Sequence, residues 1–184
     1  MNNILEVNNI SLISSRKHRL KEISFAISCG EKVAIIGPSG AGKSSLLCAI
    51  NGSHKLSSGN ILWNGMNVSS LKSLQRSKIT TIWQDLRLIE ELTVQQNINM
   101  GALGRKNFIW AIRNLLDFIA PTVVINQLKA LKLQESILED KVEYLSGGQK
   151  KRVAIARSLL QNAELMLADE PLVSLEPNLA KHIL

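Results

Sequence analysis

Three kinds of hydrophobic pattern divide the chain. Residues 4 to 7 and Glu22 to Ile27 alternate between apolar and polar, and Asn60 to Gly65 follows the turn signal Ser57-Ser58-Gly59. These segments predict strands of an antiparallel sheet. Val33-Ala34-Ile35-Ile36 and Glu164-Leu165-Met166-Leu167-Ala168-Asp169 are short unbroken apolar runs, the pattern of parallel strands covered on both faces. Ile79 to Trp83 is a third candidate of that kind. Between about 85 and 145 the period lengthens. Phe108, Ala111, Ile112, Leu115, Leu116 and Ile119 recur at three and four residues, with Arg113, Asn114 and Asp117 opposite. That spacing predicts an amphipathic helix. Pro121 interrupts it, and Val124, Leu128 and Leu131 predict a second helix. The pattern describes an α/β domain in which residues 1–84 and 146–184 form the core, and 85–145 form a helical insert.

The apolar run at 33–36 leads into Gly37-Pro38-Ser39-Gly40-Ala41-Gly42-Lys43-Ser44, followed by the helical-looking Ser45-Leu46-Leu47-Cys48-Ala49-Ile50. This fits the phosphate-binding pattern G-x-x-x-x-G-K-[ST] in the context it requires. Gly37, Gly40 and Gly42 let successive backbone N–H groups converge on a phosphate, and the helix start adds the positive end of its dipole. Lys43 is placed to reach the β- and γ-phosphates, and the Ser44 hydroxyl to ligate Mg²⁺. The run Leu165 to Ala168 ends in Asp169-Glu170, where one carboxylate can hold Mg²⁺ through water and the other can polarise an attacking water. If the strands are parallel, their carboxyl ends share one crevice, and Asp169 faces the same nucleotide as Lys43.

A second helix start is predicted at Leu145-Ser146-Gly147-Gly148-Gln149, with Ser146 as its cap and Val153, Ile155, Ala156, Leu159 and Leu160 as its apolar face. One nucleotide needs one phosphate cradle. A second, built from the Ser146 hydroxyl and the Gly147 and Gly148 amides, makes sense if it serves an ATP held by another copy. By composition such a pentapeptide arises by chance in on the order of one chain in several thousand.

Composition adds little. The 184 residues are 45% hydrophobic and 20% charged, enough for one globular core. The formal charge of +7 raises the question of nucleic acid. The basic residues are mostly dispersed, clustering only at Arg16-Lys17-His18-Arg19-Lys21 and Lys150-Lys151-Arg152, and aromatic residues make up only 4%, few for base stacking. No nucleic-acid partner is expected. Cys29 and Cys48 lack CxxC or Cys/His companions and read as small apolar residues. With neither a long apolar run nor a signal-peptide pattern at Met1 to Asn9, the chain is expected to stay in the cytosol unless a partner holds it at a membrane.

From about residue 4 to 184 the chain resembles the ATP-binding-cassette (ABC) ATPases. Walker A, Q-loop, signature and Walker B stand in that family's order as Gly37 to Ser44, Gln84, Leu145 to Gln149, and Leu165 to Glu170. The resemblance implies a P-loop NTPase (RecA-like) parallel-sheet core with an N-terminal antiparallel β subdomain and a helical insert. It also implies a head-to-tail dimer in which Ser146 to Gln149 close over the partner copy's ATP. Gln84 would contact Mg²⁺ and the water, and Glu170 would be the general base. Residues 37 to 45 would bind ATP, and Ser44, Gln84 and Asp169 would hold the metal. GPSGAGKSSLL, DLRLIEELTVQQNI and LSGGQKKRVAIARSLLQNAELMLADEP look most like the ATPase subunits of phosphonate importers. That likeness implies an integral membrane permease, a periplasmic or extracellular solute-binding protein acting indirectly, and a place on the cytoplasmic side of the membrane. The stretch Asp85 to Gly104 would receive a coupling helix of the permease, with Leu86, Leu88, Ile89 and Leu92 as groove residues or as internal core.

The family pattern is broken in three places. Ile13-Ser14-Ser15 stands where relatives stack an aromatic residue on adenine. His18 is an alternative, although its basic neighbours suggest a solvated loop. The D-loop reads Ser174-Leu175-Glu176-Pro177 rather than SLDP. Relatives continue through further strands and a switch histidine, whereas this chain ends at Leu184, and His182 follows the D-loop too soon to be that residue. A core lacking its C-terminal part is therefore expected. Two other readings stay open: a nucleotide-binding module impaired in turnover, and a soluble cassette protein outside transport.

Overall fold

A computed structural model describes residues 3–14, 17–120 and 122–170, apart from the side chains of Ser14 and Val123. The chain forms two compact units, residues 1–76 and 77–184.

The first unit is built on an antiparallel sheet. β1 (Asn3–Ser14) and β2 (Lys17–Ser28) form a long ribbon. After α1 (Lys43–Ile50) come β3 (Ser58–Trp63) and β4 (Met66–Asn67), giving the strand order β2-β1-β3-β4. The short α2 (Ser73–Arg76) closes the unit. Strict alternation along β1 would turn its apolar residues outward half-way, because Leu5 and Val7 are odd and Ile10 and Leu12 even. The register resolves this: Val7 opposes Phe25 and Ile10 opposes Ile23, so β1 carries one extra residue. That bulge, with Asn9 at φ 46°, restores one buried face of Leu5, Val7, Ile10 and Leu12. Ile61 and Trp63 of β3 and Leu46, Leu47, Ala49 and Ile50 of α1 are also buried. The antiparallel expectation holds. Lys17 to Arg19, expected in a basic loop, are instead the first residues of β2, and the His18 side chain is exposed.

The run Val33 to Ile36 departs from expectation. Residues 31–38 form no strand, and Ile36 is 94% exposed. An unbroken apolar run becomes a buried strand only when neighbouring strands pair with its backbone and both faces are covered. Among the described residues the parallel sheet contains two strands, neither of them this run. Cys29, expected to pack as a small apolar residue, is exposed, because it lies in the turn that follows β2.

In the second unit, β5 (Ile79–Ile82) pairs in parallel with β6 (Leu165–Ala168), Ile79 opposite Leu165 and Ile82 opposite Ala168. Between them lie α3 (Val94–Asn99), α4 (Phe108–Leu115), α5 (Thr122–Ala130) and α6 (Gly147–Leu160). Val94 and Ile98 from α3, Val124 and Leu128 from α5, and Val153, Ile155 and Ala156 from α6 form one core. Leu131, just beyond α5, joins them as its spacing predicts.

The apolar stripe of α4 faces the other way from expectation. Phe108 is 79% exposed, and Ile109, Ile112, Leu115 and Leu116 are exposed as well, whereas Asn114 is 5% exposed. The reason lies in α3, whose Gln95, Gln96, Asn97 and Asn99 are all buried. Asn114 Oδ1 accepts from Asn99 Nδ2 at 2.9 Å, and Asn114 Nδ2 donates to the Gln96 carbonyl at 3.1 Å. Gln96 Nε2 donates to the Leu115 carbonyl at 3.0 Å. Buried amides must be paired, and α4 turned with Asn114 inward supplies partners for Asn99 and Gln96.

Candidate functional site

In the first unit the loop before α1, the candidate phosphate cradle, is tightly curled at two glycines. Gly40 and Gly42 have φ of 79° and 96°, left-handed values that other residues adopt at a cost. Gly42, the N-cap of α1, has a further constraint: a Cβ there would strike the Arg19 carbonyl oxygen. Gly37 shows no positive φ, and a Cβ there would make only ordinary contact with Ala41, so its role in the curl is lighter than expected. The Lys43 ammonium donates to the Gly37 and Pro38 carbonyls, each at 2.9 Å. It therefore lies across the concave side of the loop, where a phosphate would receive the same charge. Pro38, Ser39, Ala41 and Ser44 are exposed, and Ser45 is partly so.

In the second unit the carboxyl ends of β5 and β6 lie side by side. The Asp169 N–H donates to the Ile82 carbonyl at 2.9 Å, extending the ladder one residue past the paired Ile82 and Ala168. Gln84 and Glu170 therefore stand two residues beyond the paired positions on adjacent parallel strands, with Asp169 one residue beyond. Asp169 is buried while Gln84 and Glu170 are exposed. Glu170 has φ 51°. Lys151 of α6 donates to the Glu170 carbonyl at 3.4 Å. Burial holds the Lys151 pKa below the ordinary lysine value, and the Glu170 charge opposes that shift. Gln84 sits in a turn closed by the Leu86 N–H on the Trp83 carbonyl at 3.0 Å.

At the start of α6 the predicted cap is present. Ser146 Oγ accepts from the Gln149 N–H at 3.3 Å, and Gln149 Oε1 accepts from the Ser146 N–H at 2.9 Å, a reciprocal capping box. Gly147 and Gly148 have open space where a Cβ would be, so substituents there would meet an approaching ligand before they met the chain itself. The basic run beside them is engaged internally: Lys150 pairs with Glu90 at 2.7 Å, and Arg152 Nη1 donates to the Lys132 carbonyl at 3.3 Å.

Comparison with known proteins gives these features a lineage. The family model described as ABC transporter matches residues 20–173. The chain belongs to the ABC transporter family. As a member it is an ATP-binding ATPase, the motor class of that family. This ABC ATPase is 39% identical over 180 residues to the phosphonates import ATP-binding protein PhnC of Fusobacterium nucleatum, covering 96% of the present chain and 72% of the relative. It is 36% identical over 186 residues to PhnC 1 of Nostoc sp., at 98% and 70% coverage. Among solved structures it resembles a dimeric ATP-binding cassette in a post-hydrolysis state bound to ADP and Pi, with 28% identity, a TM-score of 0.79, and 97% and 79% coverage. It also resembles cbiO1 of Clostridium perfringens, part of an ABC transporter complex, with 33% identity, a TM-score of 0.74, and 100% and 71% coverage. The α/β P-loop fold of the ABC ATPase is thereby shared with solved cassettes.

The D-loop positions Ser174 to Pro177 and His182 lie outside the described residues. Sequence reading overlooked Arg157, which holds the segment after Gln84, and the buried amides of α3. The signal for the latter was four amides within Gln95 to Asn99 and no charge among them.

Proposed function

We propose that this ABC ATPase energises import of a small solute, a phosphonate or a close analogue. The single observation that carries the reading is the parallel pairing of β5 with β6, which brings Gln84 and Asp169-Glu170 to the same strand ends in the order a nucleotide-hydrolysing crevice needs. The names of the relatives support the solute class.

In this reading residues 1–84 and 146–184 are the catalytic core and 85–145 the helical part. The loop from Gly37 to Ser45 binds the ATP phosphates, and Lys43 gives up its carbonyl partners to neutralise charge that develops on the γ-phosphate. The hydroxyl, amide and carboxylate oxygens of Ser44, Gln84 and Asp169 suit a hard cation that retains several waters. They would hold Mg²⁺, which supplies charge neutralisation at the β- and γ-phosphates when bound. Glu170 orients the attacking water and takes its proton. Ser146, Gly147, Gly148 and Gln149 face the ATP of a second copy in a head-to-tail dimer, and dimer opening moves an integral membrane permease fed indirectly by a solute-binding protein. No helix among the described residues is long and apolar enough to cross a membrane. In this reading the permease holds the chain at the cytoplasmic face of the membrane.

The test is ATP turnover by the purified protein, with and without vanadate. Glu170→Gln should abolish turnover while ATP binding and ATP-dependent dimerisation persist, and Lys43→Ala should abolish binding itself. A second reading, binding without turnover, is favoured by the exposed and unpaired Val33 to Ile36 leading into the phosphate loop. ATP binding at micromolar affinity with no vanadate-sensitive phosphate release would establish that reading instead.

A further inference from the structure

Gln84 is followed by an unusual piece of backbone. Leu86 and Arg87 are consecutive non-glycine residues with φ of 57° and 48°. Two left-handed residues in succession persist only when their surroundings over-determine them. The turn is tightened further by the Arg87 N–H, which reaches the Asp85 carbonyl at 2.6 Å.

What holds this turn comes from α6, seventy residues away. Arg157 Nη1 donates to the Arg87 carbonyl at 2.6 Å, and Nη2 donates to the Leu86 carbonyl at 2.6 Å. The two nitrogens of one planar fork thus meet two successive carbonyls, an arrangement a lysine cannot reproduce. Arg87 turns back to lie 3.7 Å over the Trp83 ring and 3.5 Å from Asp85 Oδ1. Arg87 thereby engages both sequence neighbours of the exposed Gln84. Lys150, two helical turns before Arg157 and on the same face of α6, pairs with Glu90 at 2.7 Å. The segment is therefore gripped twice by the helix that Ser146 caps.

We propose that Arg157 is a positioning residue for Gln84: by holding the Leu86 and Arg87 carbonyls it sets the turn that carries Gln84, so that this turn and α6 move as one body. The consequence for the cycle is mechanical. A displacement of the Ser146 end of α6, where the second copy's ATP would be met, is transmitted to Gln84 through Arg157 and Lys150 rather than absorbed by a loop. Burial pushes the Arg157 pKa down from its ordinary value, the nearby Arg87 charge adds to that, and Asp85 opposes it. The site thus accepts an electrostatically unfavourable cation in order to keep the fork.

The inference rests on the reading of Gln84 as a catalytic residue, and the experiment separates the two. Arg157→Lys and Arg157→Met are compared with the unchanged protein for ATP affinity, for kcat and KM, and for acrylamide quenching of Trp83, taken as the difference from matched Trp83→Phe proteins. Loss of the fork frees Arg87 from the indole. Quenching of Trp83 should rise at least about twofold and kcat fall about tenfold or more, with ATP affinity within about threefold. Lysine should restore little of either, because it lacks the second donor. Gln84→Ala should lower kcat with Trp83 quenching unchanged. Unaltered Trp83 quenching in folded Arg157→Met overturns the proposal. If Arg157→Met does not fold, unaltered quenching in Arg157→Lys overturns it equally. Raised quenching with kcat preserved in both the Arg157 and Gln84 variants upholds the hold on the turn and overturns the role of Gln84 instead.

Discussion

Asn97 is paired with the backbone of Ile89 in both directions: its Oδ1 accepts from the Ile89 N–H, and its Nδ2 donates to the Ile89 carbonyl, each at 2.9 Å. The same Nδ2 lies 3.3 Å from the Leu92 carbonyl and 3.0 Å from that of Thr93. Asn97 is itself fully buried, and this one amide ties down the backbone from Ile89 to Thr93. Asn97→Ala should cost about 2–4 kcal/mol in urea denaturation, because four hydrogen bonds anchored on a buried amide are lost together. Asn97→Asp keeps the acceptor but loses both donors, and should be no less damaging. A loss below about 0.5 kcal/mol in both variants would contradict this account.

Gly101 is constrained by space rather than by conformation. Its φ is not positive, yet a Cβ there would collide with the Arg157 carbonyl oxygen. Gly101→Ala must push α6 outward, and a loss of about 1–3 kcal/mol is expected. Because the displaced residue is Arg157, the variant should also raise acrylamide quenching of Trp83. Differential scanning calorimetry and the quenching assay together check both parts.

The reversed face of α4 makes an uncommon prediction. Phe108→Ser removes a large apolar side chain but should change stability by no more than about 0.5 kcal/mol, because that ring is already in water. Asn114→Ala removes a small polar group and should cost about 1–3 kcal/mol, leaving the buried Asn99 amide without its Asn114 acceptor and taking one of two donors from the Gln96 carbonyl. If the order of the two effects is reversed in chemical denaturation, the described orientation of α4 is wrong.

Lys151 offers a test by pH. Burial favours its neutral form and lowers its pKa, while the Glu170 charge favours the ammonium and works against that shift. Glu170→Gln removes only the opposing influence. The Lys151 pKa should therefore fall further, and the ammonium should be lost at lower pH than in the unchanged protein. A side-chain carbon NMR titration of Lys151 measures this, and an unchanged or raised pKa would show that the Glu170 charge does not act on it.

Much of this protein is encoded in short-range pattern, and those parts are legible in the sequence alone. The Ser146 cap, the Gly40 and Gly42 turns before α1, the strand at Leu165 to Ala168 and the helix through Val124 and Leu128 depend on residues within four positions of one another. Local backbone chemistry is enough to specify them. The motif order, and with it the family, is likewise a property of the linear chain.

Other features depended on partners that the linear pattern does not name. The apolar run Val33 to Ile36 carries the composition of a buried strand, but pairing must be supplied by other backbone, and none of the described residues pairs with it as a strand. The period of α4 predicted a helix and its amphipathic stripe correctly, yet which side turned inward was decided by the amides of α3, because an unpaired buried amide costs more than an exposed phenylalanine. Arg157 looked like one more cation on a basic helix. Only folding placed its two donors on the Leu86 and Arg87 carbonyls, since a contact across seventy residues leaves no periodic trace in sequence. Sequence by itself determined the motifs, the family and those elements that local pattern specifies. Tertiary structure decided which faces are buried and what holds Gln84 in place, because burial and hydrogen-bond satisfaction are properties of neighbours in space.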